Sequence, residues 1–165
     1  MIPYNTKIVI NSMQNHVTNI EAYMKPSASS QALPIPTPET QFFWDGTKEK
    51  RLLVQQCCKC EKVYFPPRAF CAACGNREVK VVECSGVARL LSYVINHRLN
   101  PKWKWKEPYS IAIVELAEGP RMLTNIVGCA QTPAALQLDM PLNVTFEIIT
   151  EHITLPVFEP QRSAS

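Results

Sequence analysis

The chain has 165 residues, of which 46% are hydrophobic and 19% charged, which is enough to fold as one compact core or as two small modules. Its formal net charge of +3 is too weak to indicate a nucleic-acid-binding module, and its apolar runs fall far short of the roughly 20 residues that span a bilayer. No secretory signal is recognisable at the N-terminus. We therefore expect a soluble protein of the cytoplasm.

Residues 1–36 carry scattered Asn, Ser, Thr and Pro and end in the low-complexity stretch PSASSQALPIPTP. This composition predicts a flexible or partner-dependent N-terminal arm. Met24 is an alternative start, so the sequence leaves open whether residues 1–23 belong to the native protein. An N-terminal peptide of the native protein that begins at Ile2 would show that they do.

An amphipathic helix of about three turns is predicted over residues 37–50. Thr37 is a suitable cap, Pro38 fits the first helical position, and Glu39 favours the positive end of the helix dipole. The helix carries three consecutive aromatic residues, Phe42, Phe43 and Trp44. Two interpretations stay open: the rings cover the rest of this chain, or Phe43 or Trp44 docks on another protein.

Four cysteines form two C-x-x-C units in a predicted zinc ribbon over residues 51–80. Cys57 and Cys60 make the first unit, and Cys71 and Cys74 the second, with ten residues between the units. Two intervening residues let the backbone turn so that both thiolates face one point, and two such knuckles supply the four ligands of tetrahedral Zn²⁺. Because all four positions are then filled, the ion is expected to be structural, one per chain, and not catalytic.

Two other interpretations of the cysteines are weaker. Disulfides need an oxidising compartment, and a redox C-x-x-C normally opens a helix, whereas these flanks are strand-like. Cys58 adjoins a ligand, but the two-residue spacer favours Cys57 with Cys60. Of the remaining thiols, Cys84 and Cys129 lie in strand-like apolar runs and are expected to be buried.

The C-terminal part, residues 81–160, is predicted to be a small barrel of the OB type, followed by a tail at 161–165. Strand patterns cover residues 79–84, 88–96, 109–116, 121–127, 142–149 and 153–157, punctuated by Gly and Pro. Residues 132–138 are expected to form a short helix or turn. Several short strands without a long helix between them are typical of such a barrel.

The loop over residues 97–108 alternates cations with tryptophans. Its candidate ligand-binding residues are Lys102, Trp103, Lys104, Trp105 and Lys106. Indole rings stack on bases while lysines meet phosphate, which suits single-stranded nucleic acid and equally the adenosine phosphate end of coenzyme A. The alternative is an ordinary loop with solvated lysines and packed tryptophans. The neighbouring His97 has no evident carboxylate partner in the sequence, which favours a structural role.

Several motifs occur in an order that resembles the DUF35 family over residues 37–160. They are FFWDG at 42–46, QxCxxC at 55–60, YFPPR at 64–68, CxxCG at 71–75, SYVI at 92–95, VELAEGPRMLTNIVGC at 114–129 and TLPVFEP at 154–160. The resemblance implies a mainly β fold with an N-terminal helix, a rubredoxin-like zinc ribbon and a C-terminal OB-fold. It also implies the zinc ligands Cys57, Cys60, Cys71 and Cys74. Glu61 departs from the family's usual glycine after the first knuckle, a position of left-handed backbone.

The resemblance implies a non-catalytic accessory subunit of an acyl-CoA-processing complex, whose partner is a thiolase or thiolase-like acyltransferase, or a MaoC-type enoyl-CoA hydratase. The residues agree, since no nucleophile with a base and no open metal site is recognisable in the sequence. Two other functions remain: a single-stranded nucleic-acid-binding protein, and a small enzyme that acts alone on acyl-CoA esters. The sequence identifies neither the acyl group nor the partner and its stoichiometry.

Overall fold

The computed structural model describes residues 33–98 and 108–161 of the chain. One short helix and eight strands lie in this part. The elements are α1 (Gln41–Lys48), β1 (Leu53–Cys57), β2 (Val63–Tyr64), β3 (Val79–Glu83), β4 (Val87–Asn96), β5 (Tyr109–Leu116), β6 (Arg121–Thr124), β7 (Pro141–Ile148) and β8 (Thr154–Pro160). The described part contains no helix with the length and apolarity that a membrane span requires.

Helix α1 is shorter than the sequence predicted. Thr37 and Thr40 form a hydrogen-bonded turn, in which the Thr40 side chain accepts from the Thr37 N–H at 2.8 Å, so Thr40 and not Thr37 is the N-cap. At the other end Lys50 adopts a left-handed backbone with φ of 60° while the Arg51 N–H bonds the Gly46 carbonyl. These two turns limit the helix to eight residues.

The ribbon is a three-stranded antiparallel sheet of order β2-β1-β3. Its central strand, β1, is covered on both faces, because Val54 and Gln55 are both buried. Gln55 satisfies its side-chain oxygen by accepting from the Arg68 N–H at 2.7 Å, which ties the loop between the two cysteine pairs to the sheet. The ribbon therefore presents Cys57 at the end of a rigid strand.

The barrel is built from the other five strands in the order β6-β5-β4-β7-β8, all antiparallel to their neighbours. A parallel bridge between Ile126 and Phe158 joins its two ends, and hydrogen bonds link Val127 and Asn125 to Phe158. A bulge between Leu90 and Ser92 bends β4, as curvature of a small barrel requires. These features confirm the mainly β fold with a curled OB-like sheet.

Helix, ribbon and barrel share one hydrophobic core. It contains Phe43 from α1, Leu52 and Val54 from the ribbon, and Leu90 and Val114 from the barrel, all with 4% exposure or less. The chain passes from ribbon to barrel at Gly86, whose φ of 79° and close approach to Val144 leave no room for a side chain, since a Cβ would lie 2.4 Å from a Val144 methyl carbon. The joint is consequently packed.

Most of the predicted strands are present with shifts of a few residues at their ends. The ends of β6 and β8 differ most: β6 ends at Thr124 and not at residue 127, because the chain there turns to bridge β8, and β8 continues to Pro160 and not to residue 157. The strand predicted over residues 79–84 with the C-terminal strands is β3, which pairs with β1 in the ribbon sheet. Residues 132–138 form turns, with Leu136 buried beneath them. The predicted arm up to residue 32, the loop with Lys102–Lys106 and residues 162–165 of the tail lie outside the described residues.

Candidate metal centre

Two similar turns carry the four cysteines. Cys57 ends β1, and the chain turns through residues 58–60 until the Glu61 N–H bonds the Cys57 carbonyl at 3.1 Å. In the second turn the Gly75 N–H bonds the Cys71 carbonyl at 2.9 Å. Both closing residues are left-handed, with φ of 58° at Glu61 and 73° at Gly75. Glu61 thus adopts the conformation that glycine favours.

The four sulfurs converge on one point. All of them lie within 4.8 Å of one another, and the measured pairs are Cys57 to Cys74 at 3.6 Å and Cys60 to Cys71 at 3.7 Å. Tetrahedral zinc with Zn–S bonds of about 2.3 Å separates its sulfurs by about 3.8 Å, whereas a disulfide bond measures about 2.05 Å. All seven cysteines are free thiols. The donor set and its spacing fit a Cys₄ zinc site.

Backbone N–H groups favour the thiolate forms of Cys57 and Cys71. The N–H groups of Lys59 and Cys60 lie 3.4 and 3.5 Å from the Cys57 sulfur, and the Ala73 N–H lies 3.4 Å from the Cys71 sulfur. The Cys60 N–H in particular lowers the pKa of Cys57 to about 6, and the Ala73 N–H lowers that of Cys71. Since the thiolate is the form that binds metal, these turns favour coordination.

Burial divides the four ligands into an inner and an outer pair. Cys57 and Cys71 are buried, while Cys60 and Cys74 are exposed. Tyr64 packs against the inner pair, and burial followed by the nearby thiolate charges raises its pKa. Its buried hydroxyl has no hydrogen-bond partner among the described residues. The Tyr64 ring therefore covers the inner side of the site.

Asn76 was not predicted from the sequence as part of this site. Its side-chain amide nitrogen lies 3.8 Å from the Cys57 sulfur and donates to the Glu78 carbonyl at 3.0 Å. An asparagine directly after the C-x-x-C-G turn is a signal that could have suggested such a contact, because its short amide reaches back to the neighbouring turn.

The structure places the aromatic residues of α1 differently from one another. Phe43 is 4% exposed, with ring centroids 5.0 Å from Trp44 and 5.1 Å from Phe65. Phe42 and Trp44 are partly buried and pack against the same core. Packing within the chain thus accounts for the Phe43 ring. Docking of the cluster on another protein stays a prediction that rests on the exposed parts of Phe42 and Trp44.

The structure does not test whether the loop over residues 97–108 binds nucleic acid or coenzyme A. Lys102, Trp103, Lys104, Trp105 and Lys106 lie outside the described residues. At its described edge His97 is exposed. Contact of this loop with coenzyme A or phosphate stays a prediction.

Two family models match successive parts of the chain. Residues 44–80 match the model described as ChsH2, rubredoxin-like zinc ribbon domain, and residues 81–147 match ChsH2, C-terminal OB-fold domain. A DUF35 domain-containing scaffold protein of Methanocaldococcus jannaschii is 34% identical over 110 residues, which cover 66% of this chain and 77% of that protein. The chain belongs to the DUF35 family. The predicted family is thereby confirmed.

This DUF35 chain is also similar to proteins whose names include a second protein or the word subunit. A solved structure named Ltp2-ChsH2(DUF35) aldolase contains a chain that is 33% identical, with a TM-score of 0.69, over 78% of this chain and 98% of that one. A probable enoyl-CoA hydratase alpha subunit of Thermomonospora curvata is 34% identical over 122 residues. The DUF35 chain spans only 37% of the length of that hydratase subunit.

Proposed function

We propose that this chain is a non-catalytic, zinc-binding accessory subunit of an acyl-CoA-processing complex, with a thiolase or thiolase-like acyltransferase as its partner. The observation that carries the accessory role is the similarity over 98% of a chain that the aldolase structure names together with Ltp2. The thiolase is the partner that the family resemblance implies. The four clustered thiols support the non-catalytic part, because they fill every position around a tetrahedral ion and leave none for water or substrate.

A MaoC-type enoyl-CoA hydratase is the second candidate partner. The name of the Thermomonospora curvata relative favours it, since that protein is called a hydratase alpha subunit. In such a complex the present chain would correspond to about a third of the relative. The two candidates share the accessory role and differ in the enzyme that is assembled.

The nucleic-acid alternative receives less support from the described barrel surface. OB-folds that bind single strands combine unpaired cations with aromatic rings on which bases stack. On the outer face of β4, β5 and β6 the exposed side chains include Val94, Ile113 and Leu123, which are aliphatic. Binding through the tryptophan loop would show a steep salt dependence, whereas an apolar protein complex would persist in moderate salt.

Affinity purification of the tagged full chain from its native cells tests the proposal. We expect an acyl-CoA enzyme subunit in near-equal amount together with about one zinc per chain, as the closed Cys₄ set requires. A thiolase or a hydratase in the eluate distinguishes the two candidate partners. Recovery of nucleic acid, or of a solitary chain that cleaves acyl-CoA thioesters, would contradict the accessory role.

A further inference from the structure

The outer face of β4, β5 and β6 has a regular arrangement of side chains. The register pairs place Arg89, Glu115 and Arg121 in a first row, followed by Ser92, Ile113 and Leu123, then by Val94 with Ile111, and last by Asn96 with Tyr109. We call the second and third rows, whose side chains are aliphatic except for Ser92, the aliphatic rows. The residues of alternate positions point into the barrel, where Ala112 and Val114 are fully buried.

The aliphatic rows are exposed although they are apolar. Leu123 is 70% exposed, Val94 61%, Ile113 40% and Ile111 36%. Strand neighbours at the same position of a sheet have their side chains about 5 Å apart, so the four form one contiguous patch and not scattered single residues. An apolar centre with a polar border is the arrangement found in protein interfaces.

Both borders of the patch are polar and internally paired. Glu115 accepts from Arg89 at 2.5 Å and from Arg121 at 3.2 Å, and Arg89 also bonds Asp139 at 2.6 Å. On the opposite border the Asn96 amide donates to the Tyr109 hydroxyl at 2.6 Å. Hydrogen bonds from Arg89 and then Arg121 hold the pKa of Glu115 below its usual range, so the row stays ionised and paired at neutral pH.

The charge pattern limits what can cover this face. The guanidinium groups of Arg89 and Arg121 are offset by the carboxylates of Glu115, in the same row, and of the neighbouring Asp139. Among the described residues, this face therefore offers no unpaired charge to a ligand. A charged group placed over the aliphatic rows would lose its hydration without gaining a counter-ion. The complementary surface is therefore uncharged and aliphatic, which disfavours a phosphate backbone.

Area decides between a second copy of this chain and a larger partner. Two rows across three strands, with about 6.8 Å between rows and about 4.8 Å between strands, cover a footprint of about 200 Å². A stable interface buries about 800 Å² on each partner. Two copies that met only through this flat face would bury too little, whereas a larger protein can seat an apolar surface here and reach beyond both polar borders.

We propose that the aliphatic rows of β4, β5 and β6 are the docking surface for an uncharged, aliphatic surface of the enzyme subunit in the complex. This inference rests on the proposed accessory function and adds the location of the contact. Leu123, on the edge strand β6, is the most exposed of the four side chains and is flanked by Ile113 on the neighbouring strand β5, so its substitution tests the surface with the least effect on packing. The ion-paired first row marks one border of this docking surface.

Binding of the recombinant enzyme subunit found by affinity purification tests this surface. The full zinc-loaded chain is compared with Leu123→Glu, with the milder Leu123→Ser, and with Val81→Glu as the matched control. Val81 is an aliphatic residue with 48% exposure on β3, in the other sheet. Because Leu123 is so exposed, its substitutions are expected to leave folding intact, which melting curves and zinc content check.

We expect Leu123→Glu to raise the dissociation constant at least about tenfold, because it places an unpaired carboxylate in an apolar contact. Leu123→Ser should weaken binding by a smaller factor, and Val81→Glu should bind as the unchanged chain does. The complex should also persist in about 0.5 M salt, because its centre is apolar.

Three results would overturn the assignment. Normal binding by both Leu123 variants would place the contact elsewhere and leave the accessory function standing. A wild-type dimer that Leu123→Glu dissociates would assign the face to a second copy. Failure of the unchanged chain to co-purify with any acyl-CoA enzyme would remove the accessory function, and the docking surface with it.

Discussion

Replacing Phe43 by alanine tests whether the aromatic residues of α1 serve the core or a partner. The Phe43 ring is 4% exposed and packs on Trp44 and Phe65. Loss of its burial removes about 2–3 kcal/mol. A residual cavity of about 50 Å³, at about 24 cal/mol per Å³, adds about 1 kcal/mol. We therefore expect the free energy of unfolding to fall by about 3–4 kcal/mol.

Urea unfolding at a fixed free zinc concentration measures this change, with the midpoint shift interpreted at constant slope. Phe42→Ala is the matched control, because Phe42 is a partly buried phenylalanine of the same helix and should cost less. Zinc content should be unchanged in both variants, since neither residue is a ligand. A loss below about 1 kcal/mol for Phe43→Ala, accompanied by loss of partner binding, would refute the core interpretation.

Three further predictions concern the metal, a buried thiol and a glycine. Cys71→Ser should remove zinc and unfold the ribbon, because metal-binding energy is part of the folding energy; zinc analysis and near-UV circular dichroism check this. Burial, then the nearby Glu118 carboxylate, raises the pKa of Cys84 to about 12. At pH 8 only about one molecule in ten thousand then carries the Cys84 thiolate. Iodoacetamide should therefore label the exposed Cys58 far faster than Cys84. The unfolded chain ionises this thiol above the ordinary pKa of cysteine, whereas the folded protein keeps it neutral up to about pH 12, so the free energy of unfolding declines as the pH rises through that range. Rapid labelling of Cys84 in the folded protein would contradict its burial. Gly86→Ala should lower the melting temperature more than Gly119→Ala does. Both glycines have positive φ, but only at Gly86 would a Cβ lie 2.4 Å from a β7 side chain. Equal losses would mean that backbone strain alone matters.

Local rules predicted the ribbon and the strands well. The spacing of Cys57, Cys60, Cys71 and Cys74 sufficed because each pair is closed within one turn, and the family pattern located the left-handed position that Glu61 occupies. The six C-terminal strand patterns each overlap a strand of the structure. Periodicity and turn residues act over a few neighbours, so they are visible in the sequence.

Long-range contacts explain what the sequence left undecided. In β5 both alternate sets are largely apolar, so nothing in the residues Ile111 and Ile113 says that they face outward while Ala112 and Val114 face inward. Only the register with β4 and β6 fixes that choice. The burial of Phe43 likewise depends on Phe65, which is distant in sequence.

The shared core has a consequence for dividing the molecule. The two matched family models meet between residues 80 and 81, yet Leu52 and Val54 of the ribbon pack in the same core as Leu90 and Val114 of the barrel. The boundary between the two family models therefore cuts strand β3 and separates residues that share the most buried part of the protein. Excising either half for expression or fusion would expose a sticky apolar surface, so the smallest transplantable unit is the helix, the ribbon and the barrel together.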